Sequence, residues 1–401
     1  MRTLPARYGP ELVAALADAL AGGPAVLPLP DGVEGDRLRA ALRPDEPVAD
    51  GVALVVPTSG STGDPKGVEL TAAALAASAA ATEARLGGPG RWLLALPVTH
   101  VAGLQVVLRA LRAGAPPATL PARAGAGGAP VAFAVDFVAG TAALGPARRF
   151  TSLVPTQLRR LLAAGPAAAD ALRSYDAILL GGAAAPPGLV AEARAAGARV
   201  VVTYGMSETC GGCVYDGVPL DGVTVDLADD DRIRLGGPVL ARGYRLRPEL
   251  TAAAFAGGRF VTGDVGRLER GRLTVLGRAD DMLVTGGEKV APAAVEAALG
   301  EHPAVAEAAV TGVADPDWGQ RVVAVVVLRE GGTLTLEQAR EQVAARVSRV
   351  AAPRELRVVD ALPLLPSGKL DRAALRTAAH RTAAQQTAAQ QTAAQRTAVQ
   401  R

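Results

Sequence analysis

Lysine is almost absent from this sequence of 401 residues. The chain has 42 basic side chains, yet only Lys66, Lys289 and Lys369 are lysines, and arginine supplies the rest. The ammonium group of lysine is compact and mobile, whereas the guanidinium of arginine is a broad planar fork, so the two are not interchangeable at a crowded anionic centre. Chance retention of three lysines is the alternative. The residues around each lysine decide between the two explanations.

Aromatic residues and cysteines are also scarce. Aromatics make up 3% of the chain against 49% hydrophobic residues, so the core must be built from alanine, valine and leucine, in a chain long enough for more than one domain. Cys210 and Cys213 are the only cysteines, which excludes a disulfide framework and suits a reducing cytosol. Their CxxC spacing resembles half of a zinc or redox site, but no second pair or neighbouring histidine completes it. We expect them to be small packing residues.

Long apolar runs and a strong charge of one sign are missing too. The run VVAVVVL at 322–328 is far shorter than the ~18 residues that indicate a membrane span. The first apolar stretch, at 11–20, contains two acidic residues and predicts an amphipathic helix rather than a signal peptide. Net charge is +3, and the segment 377–401 alone carries three arginines and no acid. Because the remainder is nearly neutral, it offers no broad field for nucleic acid. We expect a cytoplasmic protein without membrane insertion.

Short apolar runs alternate with helix-like segments from about residue 50 to 205. The runs lie at 52–56, 92–97, 150–155, 177–182 and 199–205. Strands separated by helices of this size imply right-handed crossovers and a mainly parallel sheet. The turns after these strands carry glycine, serine, threonine and glutamate, and open α/β sheets bind ligands at the carboxyl ends of their strands. The sequence therefore predicts an α/β fold with its site at that edge.

The sequence pattern changes at about residue 215, after which short strands and glycine-containing turns dominate. From about 280 to 376, a helix, two strands and a second helix with polar caps predict a small α+β domain. We therefore expect a large N-terminal domain at 1–279 and a small mobile C-terminal domain at 280–376. Residues 377–401 are five TAAQQ-like pentads without a large apolar face. They predict a disordered segment or a frayed alanine-rich helix with no catalytic role.

The stretch TSGSTGDPKG at 58–67 follows the first of these strands. Gly60 and Gly63 allow a tight turn whose N–H groups face phosphate oxygens, and Lys66 adds a compact charge. Hydroxyl donors come from Thr58, Ser59, Ser61 and Thr62. The stretch is not a Walker A loop, since Pro65 stands where that motif needs glycine and Gly67 replaces its Ser/Thr. An ordinary polar loop is the alternative, but the full string after a buried strand favours triphosphate binding.

Five motifs, in this order, resemble those of the acyl-adenylate-forming superfamily, which includes acyl-CoA synthetases, luciferases and peptide-synthetase adenylation domains. They are TSGSTGDPKG at 58–67, YGMSETCGG at 204–212, TGDVGRL at 262–268, GRADDMLVTGGEKVAP at 277–292 and PSGKLDR at 366–372. Within the superfamily, the stretches 95–114 and 203–222 are most similar to o-succinylbenzoate–CoA ligases of menaquinone biosynthesis. The resemblance implies an AMP-forming acid–CoA ligase that uses ATP, Mg²⁺ and coenzyme A.

The resemblance also implies a nucleotide site. Glu208 would be a magnesium ligand, assisted by Thr62; the alternative is a glutamate at a helix N-terminus. Tyr204 would cover the adenine, Asp264 would accept the ribose hydroxyls and Arg278 would lie near the ribose and α-phosphate. Their alternatives are a strand-end tyrosine, a turn aspartate and a surface arginine. The whole predicted ATP/AMP set is Thr58, Ser59, Gly60, Ser61, Thr62, Gly63, Lys66, Gly181, Gly182, Ala183, Tyr204, Gly205, Asp264 and Arg278.

The remaining roles follow from the same resemblance. Lys369 would bridge the attacking carboxylate and the α-phosphate, making Lys369, Glu208 and Thr62 the catalytic set. Asp280 matches the hinge before the small domain. The coenzyme A arm would pass Gly286, Gly287 and Lys289, although a surface lysine explains Lys289 as well. The acyl pocket would be bordered by His100, Gly182 and Ser207, and a helix-capping role explains His100 as well.

The expected reaction has two steps, acyl-AMP formation and its thiolysis by coenzyme A, with o-succinylbenzoate as the acid. Another aryl- or acyl-CoA synthetase, a carrier-loading adenylation enzyme and a non-catalytic nucleotide sensor are the alternatives. The second carboxylate of o-succinylbenzoate calls for cationic or amide donors in the pocket, and no motif names them. The glycine-rich loop begins only about 57 residues into the chain, so we expect a shortened N-terminal lobe. The partners would be a small carboxylic acid, ATP and coenzyme A, with no nucleic acid; a homodimer is left open.

Overall fold

The computed structural model describes residues 1–59, 65–120, 130–364 and 370–381. The chain divides into two compact units. The larger unit consists of Met1–Ala185, Leu189–Thr262 and Gly266–Thr274, and the smaller unit of Pro186–Gly188, Gly263–Val265 and Val275–Arg401. The predicted domain boundary between residues 279 and 280 stays a prediction.

The helices and strands of the described ranges are as follows. The helices are α1 (Pro10–Leu20), α2 (Val33–Leu42), α3 (Ala72–Arg85), α4 (Val101–Arg112), α5 (Pro130–Ala142), α6 (Pro155–Ala163), α7 (Pro166–Arg173), α8 (Pro187–Ala195), α9 (Pro248–Ala254), α10 (Pro292–Gly300) and α11 (Leu336–Arg346). The strands are β1 (Arg2–Pro5), β2 (Val26–Leu29), β3 (Val52–Ser59), β4 (Pro65–Thr71), β5 (Arg91–Leu94), β6 (Ala118–Thr119), β7 (Arg149–Leu153), β8 (Ala177–Leu180), β9 (Val200–Met206), β10 (Gly211–Tyr215), β11 (Val218–Pro219), β12 (Thr224–Leu227), β13 (Arg232–Gly236), β14 (Gly243–Tyr244), β15 (Phe255–Ala256), β16 (Arg259–Glu269), β17 (Arg272–Arg278), β18 (Leu283–Thr285), β19 (Glu288–Val290), β20 (Val305–Asp315), β21 (Gly319–Leu328) and β22 (Glu355–Val358).

The predicted α/β fold with a small α+β unit is confirmed. One sheet of the larger unit has the order β11-β10-β9-β8-β7-β5-β6, in which the strands from β9 to β6 run parallel. A second sheet has the order β1-β2-β3-β4-β14 and is parallel from β1 to β3. A third contains β12, β13, β16 and β15, with β17 paired to β16. Strands β2 and β8 are buried along their whole length and β7 along nearly all of it, as is typical of parallel strands that helices cover.

The glycine-rich loop joins two antiparallel strands rather than a strand and a helix. Thr58 pairs with Lys66 and Ser59 with Pro65 across the β3–β4 hairpin. Helix α3 begins only after Thr71, whose hydroxyl accepts a hydrogen bond from Ala74 N at 3.1 Å. Strand β4 was not predicted, because Glu69 interrupts its short apolar run. Glu69 is buried in the strand. No helix in the described ranges is long and apolar enough to cross a bilayer.

The smaller unit has its own sheet, of order β19-β18-β21-β20, with β22 paired to β21. Helix α11 begins with the predicted polar cap, since Thr335 accepts from Gln338 N at 3.2 Å. Residues 372–381 are helical, and Ala379 is 1% exposed against apolar residues of β20 and β21. The expectation that the TAAQQ-like segment has no packing face is therefore wrong for Ala379, because alanine is small enough to lie against the sheet, while the other residues of 377–381 are exposed. Residues 382–401 lie outside the described ranges.

A buried ion pair joins β4 to the segment that contains β14. The guanidinium of Arg245, whose side chain is 1% exposed, lies 3.5 Å from the carboxylate of Glu69. It also donates to the carbonyl oxygens of Leu42, Arg43, Glu46 and Pro47, at 2.6 to 3.1 Å. Several satisfied donors are what makes burial of an ion pair tolerable. Arg245 therefore fixes β14 against β4 and against the loop after α2.

We expect Arg245→Met to lower the free energy of unfolding of the larger unit by about 3–5 kcal/mol, because it leaves the buried Glu69 carboxylate with only the exposed Arg242 nearby and removes the donor to four backbone carbonyls. Urea unfolding followed by circular dichroism measures the change. Arg242→Met is the matched control, since Arg242 pairs with the same carboxylate at 3.8 Å but its side chain is 52% exposed. A surface pair contributes below about 1 kcal/mol. An equal loss of unfolding free energy in the two variants would contradict the proposed role of the buried Arg245.

Candidate active site

The segment after β8 lies against the strand that carries Tyr204. Gly181 N donates to Leu153 O at 3.1 Å, and the hydroxyl of Thr203 donates to Leu180 O at 3.2 Å. A Cβ atom at Gly181 would lie 2.4 Å from that hydroxyl oxygen. Glycine is therefore required here for close approach of the two chain segments. The structure brings the predicted adenine residues of 181–183 beside β9.

Gly205 fixes the hairpin between β9 and β10. It pairs with Gly212, and a Cβ atom at position 205 would lie 2.1 Å from Gly211 O. The short 3₁₀ turn Ser207–Thr209 follows, and its last hydroxyl accepts from Met206 N at 3.0 Å and donates to Gly211 O at 2.8 Å. The predicted residues from Tyr204 to Glu208 thus share one tight hairpin, with Glu208 in the turn.

Glu208 is held by a tyrosine from a distant part of the chain. The hydroxyl of Tyr244 donates to Glu208 Oε1 at 2.8 Å, and Lys66 Nζ lies 5.4 Å from the centre of the same ring. Burial raises the pKa of Tyr244, and the negative charge of Glu208 raises this pKa further. The phenol therefore stays protonated and donates to the carboxylate. Through Tyr244, the structure joins the start of β4 to the turn after β9.

The described flanks of the glycine-rich loop meet in the hairpin. Thr58 Oγ1 donates to Lys66 O at 3.4 Å, and Ser59 ends β3. The predicted residues Gly60, Ser61, Thr62 and Gly63 lie outside the described residues, as does Lys369.

His100 occupies the N-cap position of α4 but makes no side-chain capping hydrogen bond. Its carbonyl oxygen accepts from Gly103 N at 3.1 Å and from Leu104 N at 3.2 Å. His100 is exposed. Because its side chain does not cap α4, the capping alternative is not supported.

A second group of predicted residues lies within the smaller unit. Arg278 pairs with Asp264 at 3.6 Å and with Asp280 at 3.2 Å. The two central residues of the β18–β19 turn, Gly286 and Gly287, have φ of +56° and +81°. Positive φ at both positions is what a two-residue hairpin turn needs, which explains the glycine pair. Lys289 is exposed in β19.

The two cysteines are buried free thiols. Burial raises the pKa of Cys210, and burial likewise raises the pKa of Cys213, to about 12. Both belong to the core of the larger unit, so their predicted role as packing residues is confirmed. Among the described residues, no group of three or more histidine, cysteine or acidic side chains could hold a metal ion by itself.

Tyr244, Arg245 and Glu69 are not among the residues predicted from the sequence. Tyr244 and Arg245 lie in GYRLRPELT at 243–251, outside all five motifs. The scarcity of tyrosine could have drawn attention to Tyr244, since the chain contains only five tyrosines. The acidic residue in the apolar run VEL could have indicated a buried ion pair.

Two family models match the chain. The model of the AMP-binding enzyme matches residues 26–247, and the model of the AMP-binding enzyme C-terminal domain matches residues 294–369. The chain is 51% identical over 371 residues to the probable 2-succinylbenzoate–CoA ligase of Mycobacterium tuberculosis (strain CDC 1551 / Oshkosh), covering 91% of this chain and 94% of that protein.

The fold is similar to solved structures of o-succinylbenzoate CoA synthetase (MenE) from Bacillus subtilis. The complex with the acyl-adenylate intermediate OSB-AMP has a TM-score of 0.70 and 29% identity, covering 93% of this chain and 82% of that one. The complex with ATP and magnesium ion has a TM-score of 0.70 and 29% identity, covering 91% of this chain and 81% of that one.

Proposed function

The chain belongs to the AMP-binding enzyme family, and from that membership we propose that it ligates 2-succinylbenzoate to coenzyme A through an acyl-AMP intermediate. The observation that supports 2-succinylbenzoate as the acid is the 51% identity to a probable 2-succinylbenzoate–CoA ligase over nearly the whole of both chains. The general activity is that of an AMP-forming acid–CoA ligase that uses ATP, Mg²⁺ and coenzyme A. It agrees with the family, with the name of the relative as a CoA ligase, and with the ATP and magnesium ion of a structural neighbour.

The reaction divides into two displacements. A carboxylate oxygen of the acid attacks the α-phosphorus of ATP, forming acyl-AMP and releasing pyrophosphate. The thiol of coenzyme A then attacks the acyl carbon, forming the thioester and releasing AMP, while the thiol proton is lost to solvent. The protein forms no covalent bond, so its contribution is positioning and neutralisation of charge.

We assign the phosphates of ATP to the hairpin loop between β3 and β4. Thr58 and Lys66 flank this loop, and Lys66 supplies a compact positive charge 5.4 Å from the ring centre of Tyr244, the residue that donates to Glu208. The predicted loop residues from Gly60 to Gly63 complete this assignment. The adenine is assigned to Gly181–Ala183 and Tyr204, because these segments lie side by side at the carboxyl ends of β8 and β9. For Asp264 and Arg278, the ribose assignment rests on the resemblance.

Glu208 fits a magnesium ion that also binds the phosphates. Mg²⁺ keeps few protein ligands at such sites, and one or two carboxylates suffice when phosphate oxygens supply the rest. The hydrogen bond from Tyr244 orients Glu208, as outer hydrogen bonds orient metal-binding carboxylates in general. When bound, the ion would neutralise charge on the phosphates.

The assignments in the smaller unit complete the proposal. Lys369 would neutralise charge between the attacking carboxylate and the α-phosphate in the first step. Asp280 would be the hinge that removes Lys369 for the second step, since such hinges are a few exposed residues whose backbone angles change. Gly286 and Gly287 would allow the coenzyme A arm close to the backbone. We also propose a cytoplasmic location, because both cysteines are free thiols.

Coenzyme A ester formation tests the proposal. We expect 2-succinylbenzoate to give a thioester with kcat/KM at least about 100-fold above that of benzoate or a simple fatty acid, because a site built for a polar group discriminates against acids that lack it. Liquid chromatography of the product and release of pyrophosphate and AMP measure the reaction. Equal rates with all acids would contradict the substrate assignment, and pyrophosphate release without a thioester would favour a carrier-loading enzyme.

We expect Lys369→Ala to lower the rate of acyl-AMP formation by about 100- to 1,000-fold, the effect of losing one preorganised electrostatic contact. Thioester formation from supplied acyl-AMP should change little. Lys369→Arg should not restore the first step, because a planar guanidinium does not replace a point charge. Rapid-quench measurement of each half-reaction separates the two. Equal loss in both would rule out the assigned role.

Tyr244→Phe tests the role of the tyrosine at Glu208. We expect the Mg²⁺ concentration for half-maximal pyrophosphate release to rise about 10-fold, because the carboxylate loses its orienting hydrogen bond. Tyr175→Phe is the matched control, since it removes a buried hydroxyl that bonds to Thr141 at 2.7 Å elsewhere in the core. A Mg²⁺ dependence that does not change in Tyr244→Phe, or changes alike in both variants, would overturn the role.

A further inference from the structure

Gln105 is a buried amide without a hydrogen-bond partner. The residue is 1% exposed, and neither Nε2 nor Oε1 of its side chain bonds to any of the described residues. Leaving both ends of an amide unpaired inside a protein is destabilising, and the great majority of buried polar side chains are paired. A molecule that reached the amide would therefore find both of its polar atoms without a partner among the described residues.

Gln105 lies beside the hairpin of the candidate site. It is in α4, the helix that begins after His100, and its Cγ lies 3.6 Å from the position of a Cβ atom at Gly211. Gly211 pairs with Met206 across the turn that contains Glu208. The reacting carboxylate must meet the phosphates near Glu208, so the rest of the acid extends from that turn. Gln105 is adjacent to this region.

The charges around Gln105 favour an anion. Arg109 follows one turn later on the same helix face; it is 6% exposed and its guanidinium lies 5.4 Å from the ring centre of Trp92. Its Nε also lacks a hydrogen-bond partner within the described ranges. A buried cation one turn away stabilises negative charge near the amide.

We propose that Gln105 is a specificity residue of the acid pocket and that its Nε2 donates a hydrogen bond to the second, non-reacting carboxylate of a dicarboxylic acid. The inference rests on the proposed function, whose acid carries two carboxylates. Binding of that carboxylate gives the amide the partner it lacks in the free protein, while Arg109 contributes a favourable field without contact. A monocarboxylic acid leaves the amide unpaired and is therefore selected against.

Replacement of the amide by an apolar group of similar length tests the proposal. Gln105→Met removes both polar atoms, and Gln105→Glu replaces them with a carboxylate that repels the substrate. Gln157→Met is the matched control, because the amide of Gln157 is satisfied by Val154 N at 3.1 Å and Ala95 O at 2.9 Å. The acids are 2-succinylbenzoate and two monocarboxylates that each lack one of its carboxylates, 4-oxo-4-phenylbutanoate and 2-butanoylbenzoate. We measure kcat/KM for the diacid, the inhibition constant of each monocarboxylate, and Tm.

We expect Gln105→Met to lower kcat/KM for 2-succinylbenzoate by about 10- to 100-fold, the effect of losing a hydrogen bond to a charged group. One of the two monocarboxylates keeps the carboxylate that the unmodified enzyme joins to coenzyme A. The inhibition constant of this monocarboxylate should change less than about 2-fold. Gln105→Glu should lower kcat/KM for the diacid further. Tm should stay the same or rise in Gln105→Met, because an unpaired buried amide is removed. Gln157→Met should lower Tm and leave the preference for the diacid unchanged.

Two results would overturn the inference while the proposed function stands. One is an unchanged kcat/KM for the diacid in Gln105→Met. The other is an equal loss of affinity for the diacid and both monocarboxylates together with a lower Tm, which would make Gln105 a structural amide bonded through buried water. If the unmodified enzyme does not form a thioester from 2-succinylbenzoate at all, the proposed function fails, and the inference fails with it.

Discussion

The ion pair between Glu69 and Arg245 is the contact on which the geometry of the candidate site depends. Burying both charges is costly, and the four backbone carbonyls that accept from Arg245 offset part of that cost. The arginine is next to Tyr244, and the glutamate is three residues after Lys66 in β4. Because of this proximity in sequence, the ion pair also positions Tyr244, which bonds to Glu208, and Lys66 at the start of β4. Three segments that are far apart in sequence meet through it.

Sequence analysis predicted those parts of the molecule that depend on local pattern. The five apolar runs before residue 205 are strands, because uninterrupted runs of valine and leucine between turns are typical of buried parallel strands. Thr335 caps α11 as predicted, because a helix cap needs only a few adjacent residues. Scarcity of lysine identified Lys66, whose compact charge lies near the phenol ring of Tyr244.

The features that were missed depend on contacts between distant segments. Strand β4 is short and interrupted by Glu69, and it is a strand because β3 and β14 pair with its two edges. No local pattern predicts that a carboxylate in an apolar strand has a partner more than 170 residues away, or that a tyrosine outside every motif bonds to Glu208. The packing of Ala379 was missed for a similar reason, because alanine-rich pentads have too little apolar area to predict burial until a sheet with a matching surface is known.

Buried polar groups of two kinds coexist in the larger unit, and their difference is informative. Arg245 and Glu69 have partners in the folded protein, so they contribute to a fixed structure. Gln105 has none among the described residues, and an unpaired buried amide costs stability. An amide kept free of protein partners is already positioned when an acceptor arrives, so little reorganisation is needed on binding. The ion pair of Glu69 and Arg245 therefore stabilises the geometry of the site, and the unpaired amide of Gln105 provides selectivity for the acid.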